Sequence, residues 1–194
     1  MADLTLTQFR QIVPYAGPKA GDWLPALNDA MHEFGVDTPL RVCAFIAQLA
    51  HESGSFHYVR ELASGHAYDH RADLGNTDPE AIRIAAANNT TPGPFYRGGG
   101  PLQLTGYDNY LRCGAALGVD LVNHPELIEQ PITGCRAAGW FWYGNDVNYY
   151  ADQDDIDGVS DLINRGRKTA IIGDSNGYAE RLAFYRRAKH VLGI

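Results

Sequence analysis

Two glutamates nine positions apart, Glu52 and Glu61 in the stretch "AHESGSFHYVRELA" (residues 50–63), are the residues whose type and spacing suggest chemistry. Two carboxyl groups held in different surroundings can cleave a glycosidic bond, one donating a proton to the leaving oxygen and the other activating water. Glu52 lies seven residues beyond Phe45 and three beyond Leu49. At about 100° per residue its side chain leaves a helix on the apolar side. Desolvation and the partial negative charge of the helix C-terminus there favour the protonated carboxyl that a general acid needs. Glu61 falls beyond the helix end, where Arg60 and solvent could keep it ionised.

The helix that must carry Glu52 starts at Thr38-Pro39: the hydroxyl can accept from a free amide, and proline suits the first helical position. Val42, Phe45, Ile46, Leu49 and Ala50 then form one buried stripe, and Gly54 can end it. Helical patterns also cover residues 5–13, 21–34 (stopping at Gly35), a stretch opened by Asp78-Pro79, and 106–117, 124–129, 132–143, 156–164 and 176–191. "TPGPFYRGGG" reads as a turning loop without regular structure. The expectation is an all-α, single-domain chain spanning residues 1–194, with at most one small hairpin.

"PLQLT" is the one segment with a β-like alternation. If extended, it places Gln103 and Thr105 on one surface, an amide and a hydroxyl suited to an acetamido group and a water. Thr105 can instead cap the helix that follows, since "TGYD" resembles a capping box.

Composition narrows the alternatives. The chain has 194 residues, 45% hydrophobic and 20% charged, and a net charge of -7. That field repels polyanions, and no basic run interleaved with aromatics suggests a nucleic-acid groove. The basic stretch "RLAFYRRAKH" reads as the solvated face of a terminal helix. Cys43, Cys113 and Cys135 look like buried thiols, not a disulfide framework. No segment reaches the ~18 apolar residues that span a bilayer, and "MADLTLTQFR" lacks a leader pattern. The expectation is a cytosolic product without a signal peptide that acts on the wall after release. No cofactor or metal is expected: His57 is six positions after His51, which fails the H-E-x-x-H spacing, and His66 and His70 lack a further ligand. "DQDDIDGVSDLIN" puts Gln153 and Asn164 where a calcium loop needs carboxylates, so it reads as an acidic helix entry. Trp23, Trp140, Phe141 and Trp142 read as core.

"FIAQLAHESGSF", "FYRGGGPLQLTGYDNY", "AAGWFW" and "INRG…GYAERLAFYRRA", in this order, resemble the lysozyme-like family 19 glycoside hydrolases, in particular the chitinase-like endolysins of bacteriophages. The resemblance covers roughly residues 40–190. It implies two helical lobes flanking a substrate cleft, and inverting hydrolysis of β-1,4 bonds next to N-acetylated sugars. By motif, Glu52 matches the general acid and Glu61 the general base. Gln103 and Thr105 match positions that bind substrate and fix the attacking water. Asn109 and Asn164 match substrate-binding asparagines, Arg181 an arginine behind the carboxylates, and Tyr96 an aromatic at the cleft edge.

Three departures stand out: Gly99 replaces the arginine of the family's "GRG", Arg165 replaces the first glycine of "NGG", and "RKTAIIGDS" lengthens the path from Asn164 to Arg181. The short Glu52–Glu61 spacing, like that of the phage enzymes, points to peptidoglycan glycan strands before chitin. The expected protein is thus a monomeric endolysin without a separate wall-binding module. A chitinase, a lytic transglycosylase in which Glu61 is dispensable, and a non-catalytic wall-binding protein are the alternatives.

Overall fold

The structure, a computed structural model, describes residues 3–194, and ten α-helices account for most of it. They are α1 (Leu6–Ile12), α2 (Lys19–Glu33), α3 (Pro39–Glu52), α4 (Pro79–Ala87), α5 (Pro92–Phe95), α6 (Tyr107–Leu117), α7 (Pro131–Gly144), α8 (Val147–Asp152), α9 (Ile156–Arg165) and α10 (Tyr178–Leu192). The Thr38 hydroxyl accepts from the Arg41 amide at 3.3 Å and Pro39 takes the first helical position, so α3 begins where its sequence predicts. Past the end of α2, Gly35 adopts φ +67° and the next amide, Val36, donates back to the Met31 carbonyl at 2.8 Å. Glycine takes this left-handed conformation, which satisfies end carbonyls, without the strain a Cβ would bring.

Every residue of α3 from Val42 to Ala50 is buried, so the helix is covered all round and not on one stripe. α10 lies along it, and α1, α2, α8 and α9 complete the larger hydrophobic core, in which Phe45 and Trp142 meet edge to face at 5.1 Å. Each such fully buried large side chain contributes about 1.5–3 kcal/mol. A smaller core forms around Tyr96, Tyr107, Tyr110, Leu121 and Ile128. α7 serves both, with Ala137 in the smaller core and Cys135, Ala138 and Trp142 in the larger. The two cores are the two lobes that the resemblance implied.

Several local expectations are corrected. "PLQLT" is not a strand: Pro101–Gln103 form a turn, Gln103 has φ +53°, and pairing is limited to isolated antiparallel bridges of Gly99 with Arg60 and with Leu104. α5 forms inside the proline-rich stretch expected to be loop, because Pro92 sits at its first turn, where no N–H is needed. Residues 125–129 form a 3₁₀ helix, and α8 has no counterpart in the sequence reading. The three cysteines are free and buried, and burial raises the thiols of Cys43 and Cys113 to about 12. Among the described residues, no helix is long and apolar enough to cross a membrane.

Candidate active site

Glu52 is the last residue of α3, and its side chain is 21% exposed. It accepts a hydrogen bond through Oε1 from Nη2 of Arg181, a residue of α10 that is 1% exposed. The remaining guanidinium nitrogens are also used: Nε donates to the Asn176 carbonyl at 3.0 Å and Nη1 to Oε1 of Gln48. Gln48 is buried one turn before Glu52 and donates to Ser160 Oγ of α9 at 3.2 Å. Three helices thus fix the charge beside Glu52. Arg181 stands behind this carboxylate as the resemblance implied, which corrects the solvated-face reading of its segment. His51 forms a parallel contact, Nδ1 to Glu180 at 2.6 Å, and an added Cβ at Gly177 would lie 2.0 Å from the imidazole, so the start of α10 needs a glycine there.

After Glu52 the chain turns sharply, with Gly54, Ser55 and Phe56 all at positive φ, and the Tyr58 amide returns to the Ser53 carbonyl at 2.8 Å. This turn delivers Glu61 to the loop before α6. The Glu61 amide donates to the Gly98 carbonyl at 2.8 Å, the Gly98 amide donates to Glu61 Oε2 at 3.1 Å, and the Tyr68 hydroxyl donates to Oε1 at 2.9 Å. Arg60 is not the partner expected for Glu61. It pairs with Glu129 at 2.5 Å, because residue 60 bridges to Gly99 and its side chain reaches the 3₁₀ helix beyond.

Gln103 meets Glu61 across Gly98. A Cβ at residue 98 would sit 2.8 Å from Gln103 Oε1 and 3.3 Å from Glu61 Oε2, so both groups border the space that glycine leaves. Gln103 Nε2 donates to the carbonyls of Tyr58 and Gly100, both at 3.0 Å, which leaves Oε1 to accept from a ligand N–H. The Thr105 hydroxyl donates to the Gln103 carbonyl at 2.9 Å and keeps its lone pairs for another donor. It does not cap α6: Gly106 holds the N-cap position, and Asn76 Oδ1 accepts from the Tyr107 amide at 3.0 Å. Asn109 Nδ2 donates to the Thr105 carbonyl at 2.8 Å. Gln103, Thr105 and Asn109 share a cavity of about 190 Å³ with Phe141 of α7 and Ile163 of α9. Neither Glu52 nor Glu61 lines it; Glu61 adjoins one of its lining residues, Gln103, across Gly98.

Two candidates fall elsewhere. Tyr96 is fully buried, packs edge-on against Tyr107 and at a tilt against Tyr110, and donates to the Val122 carbonyl at 3.0 Å, so it is core of the smaller lobe and not a cleft-edge contact. Asn164 accepts from the Asn176 amide at 3.1 Å, which ties the end of α9 to the carbonyl that holds Arg181. Its neighbour Arg165 turns to the Asp174 carbonyl. The Gly99 departure also has a cause: a Cβ there would lie 2.5 Å from both Ile128 Cγ2 and the Tyr110 hydroxyl, so no arginine fits. Sequence reasoning missed Gln48, although it sits four residues before Glu52 and shares its helix face. It also missed Tyr68 and Asn76, which lie in a stretch without periodicity.

A helical two-lobed fold with a carboxylate ending the buried helix, and a second one held by the glycine loop of the smaller lobe, defines a lysozyme-like glycosidase architecture. The family model for class I chitinases, glycoside hydrolase family 19, matches residues 36–158, and the chain belongs to that family. An endochitinase of Solanum tuberosum is 29% identical over 177 residues, covering 79% of this chain and 52% of that protein. Endochitinase 2 of Gossypium hirsutum is 35% identical over 106 residues, covering 52% and 34%. The chain spans about half the length, or less, of the curated relatives it matches. Chitinase C of Streptomyces griseus HUT6037 has the same fold, with a TM-score of 0.75 at 22% identity, over 97% of this chain and 76% of that one.

Proposed function

We propose that the chain hydrolyses β-1,4 bonds in polymers of N-acetylated sugars by single displacement. The observation that carries this reading is the different surroundings of the two carboxylates: Arg181 backs Glu52, while Tyr68 and Gly98 hold Glu61 beside Gln103. With Oε1 of Glu52 turned to Arg181, Oε2 is left to carry the proton to the leaving oxygen. The carboxylate that remains is then stabilised by the guanidinium. Glu61 takes a proton from water held by Thr105, and Gln103 Oε1 accepts from the acetamido N–H. Inversion needs roughly 6.5–9.5 Å between the carboxyls so that the water fits.

The relatives' names favour N-acetylglucosamine polymers of the chitin type as substrate, which reverses the order the spacing suggested. Peptidoglycan, cut by an endolysin, is the second reading. It rests on the nine-residue interval between Glu52 and Glu61. Incubation with N-acetylglucosamine hexamer and with purified sacculi, followed by mass spectrometry, decides between them. The first reading expects shorter oligomers with ordinary reducing ends, the second expects release from sacculi only, and anhydro-sugar products contradict both. In either case Glu52→Gln is expected to lose at least about 10²–10⁴-fold in kcat with an unchanged circular dichroism spectrum. An active, folded Glu52→Gln protein contradicts the assignment.

A further inference from the structure

Glu61 stands on an irregular segment, and nothing in its own backbone fixes the direction of its carboxylate. That direction is set from outside, one donor to each oxygen: the Gly98 amide at 3.1 Å to Oε2 and the Tyr68 hydroxyl at 2.9 Å to Oε1. Arg60 pairs with Glu129 and Arg71 with Asp73. We propose that Tyr68 is the positioning residue of Glu61, orienting the carboxylate so that its free lone pair meets the attacking water. The proposal rests on the reading of Glu61 as the base.

Tyr68 is itself built into place. It ends a short 3₁₀ turn (His66–Tyr68) whose last carbonyl accepts from Asn76 Nδ2 at 2.9 Å. Asn76 is fully buried, and its Oδ1 accepts from the Tyr107 amide at the start of α6, the helix that carries Asn109. The next residue, Asp69, accepts from the Gly93 amide of α5 at 2.9 Å. One buried amide therefore couples the phenol over the base to the helix lining the cavity, so the two cannot shift independently. Burial, and then the hydrogen bond to Glu61, push the Tyr68 phenol above its ordinary range, so it stays a donor. A hydrogen bond to an ionised acceptor is among the stronger kinds, and its loss frees the acceptor to turn.

Tyr68→Phe keeps the ring and its packing while removing the donor. The expected result on N-acetylglucosamine hexamer is a kcat lowered roughly 10- to 100-fold with KM nearly unchanged. In a Glu61→Gln background the same change is expected to cause no further loss. An unaltered kcat, a loss carried by KM instead of kcat, or a further loss in the Glu61→Gln background overturns the proposal. A fully active Glu61→Gln protein instead overturns the reading of Glu61 itself, which separates the two failures.

Discussion

At the residue scale the site depends on Arg181, a guanidinium withdrawn from solvent and satisfied by Glu52, Gln48 and Asn176. Gln48→Leu leaves one Arg181 nitrogen without a partner and strips Ser160 of its donor. The expected cost is about 1–3 kcal/mol, read as a lower urea midpoint at unchanged m-value. A midpoint equal to the parent's contradicts the network. The two carboxylates, Gln103 and Thr105 stood out by type and spacing, whereas Asn109 entered only through resemblance. Arg181 was legible only through resemblance, since its basic, helical segment looks solvated until α10 is laid against α3. Tyr96 was misplaced for a related reason: an aromatic beside a glycine loop gives no sign that Tyr107 and Tyr110 will close over it.

At the element scale the segment between α9 and α10, residues 166–177, is held down by long-range bonds. It is fastened to α9 by two buried aspartates. Asp157 accepts from Lys168 at 2.5 Å and from the Gly173 amide at 2.6 Å, and Asp161 accepts from the Thr169 amide at 2.8 Å and Ser175 Oγ at 2.6 Å. For Asp161, burial acts to raise its pKa, but the bonds from Ser175 and Thr169 outweigh it and hold the carboxyl below the usual aspartate range. Its stabilisation is therefore present above the unfolded-state value and lost as pH falls through the lower folded one. Asp161→Asn is expected to destabilise by about 1–3 kcal/mol at pH 7, with the difference from the parent shrinking as the pH falls below the usual aspartate range. A pH-independent difference in urea titrations contradicts that origin. The acidic run was read as a helix entry, and Asp155 does cap α9 at 2.8 Å. The loop fastening was not legible, because nothing local tells Asp157 and Asp161 that the chain will fold back over them. The turn after Glu52 was also hidden: Gly54 announced the helix end, but Ser55 and Phe56 carry no local signal for positive φ.

At the scale of the whole molecule, α7 belongs to both cores, with Ala137 on one side and Trp142 on the other. Neither lobe can release it without exposing the other's interior, so unfolding is expected to be one cooperative transition. Near- and far-ultraviolet circular dichroism should then coincide in urea, and two separated midpoints contradict a shared helix. The helical class and two lobes were readable from periodicity and resemblance, while the double role of α7 depends on which element each face meets.

The central claim, that Glu52 and Glu61 act as acid and base with water between them, is tested most directly by the anomer first released from a β-linked N-acetylglucosamine hexamer, followed by proton NMR within seconds of mixing. Single displacement gives the α-anomer, with the β-form growing only by mutarotation. A β-anomer as the first product contradicts it.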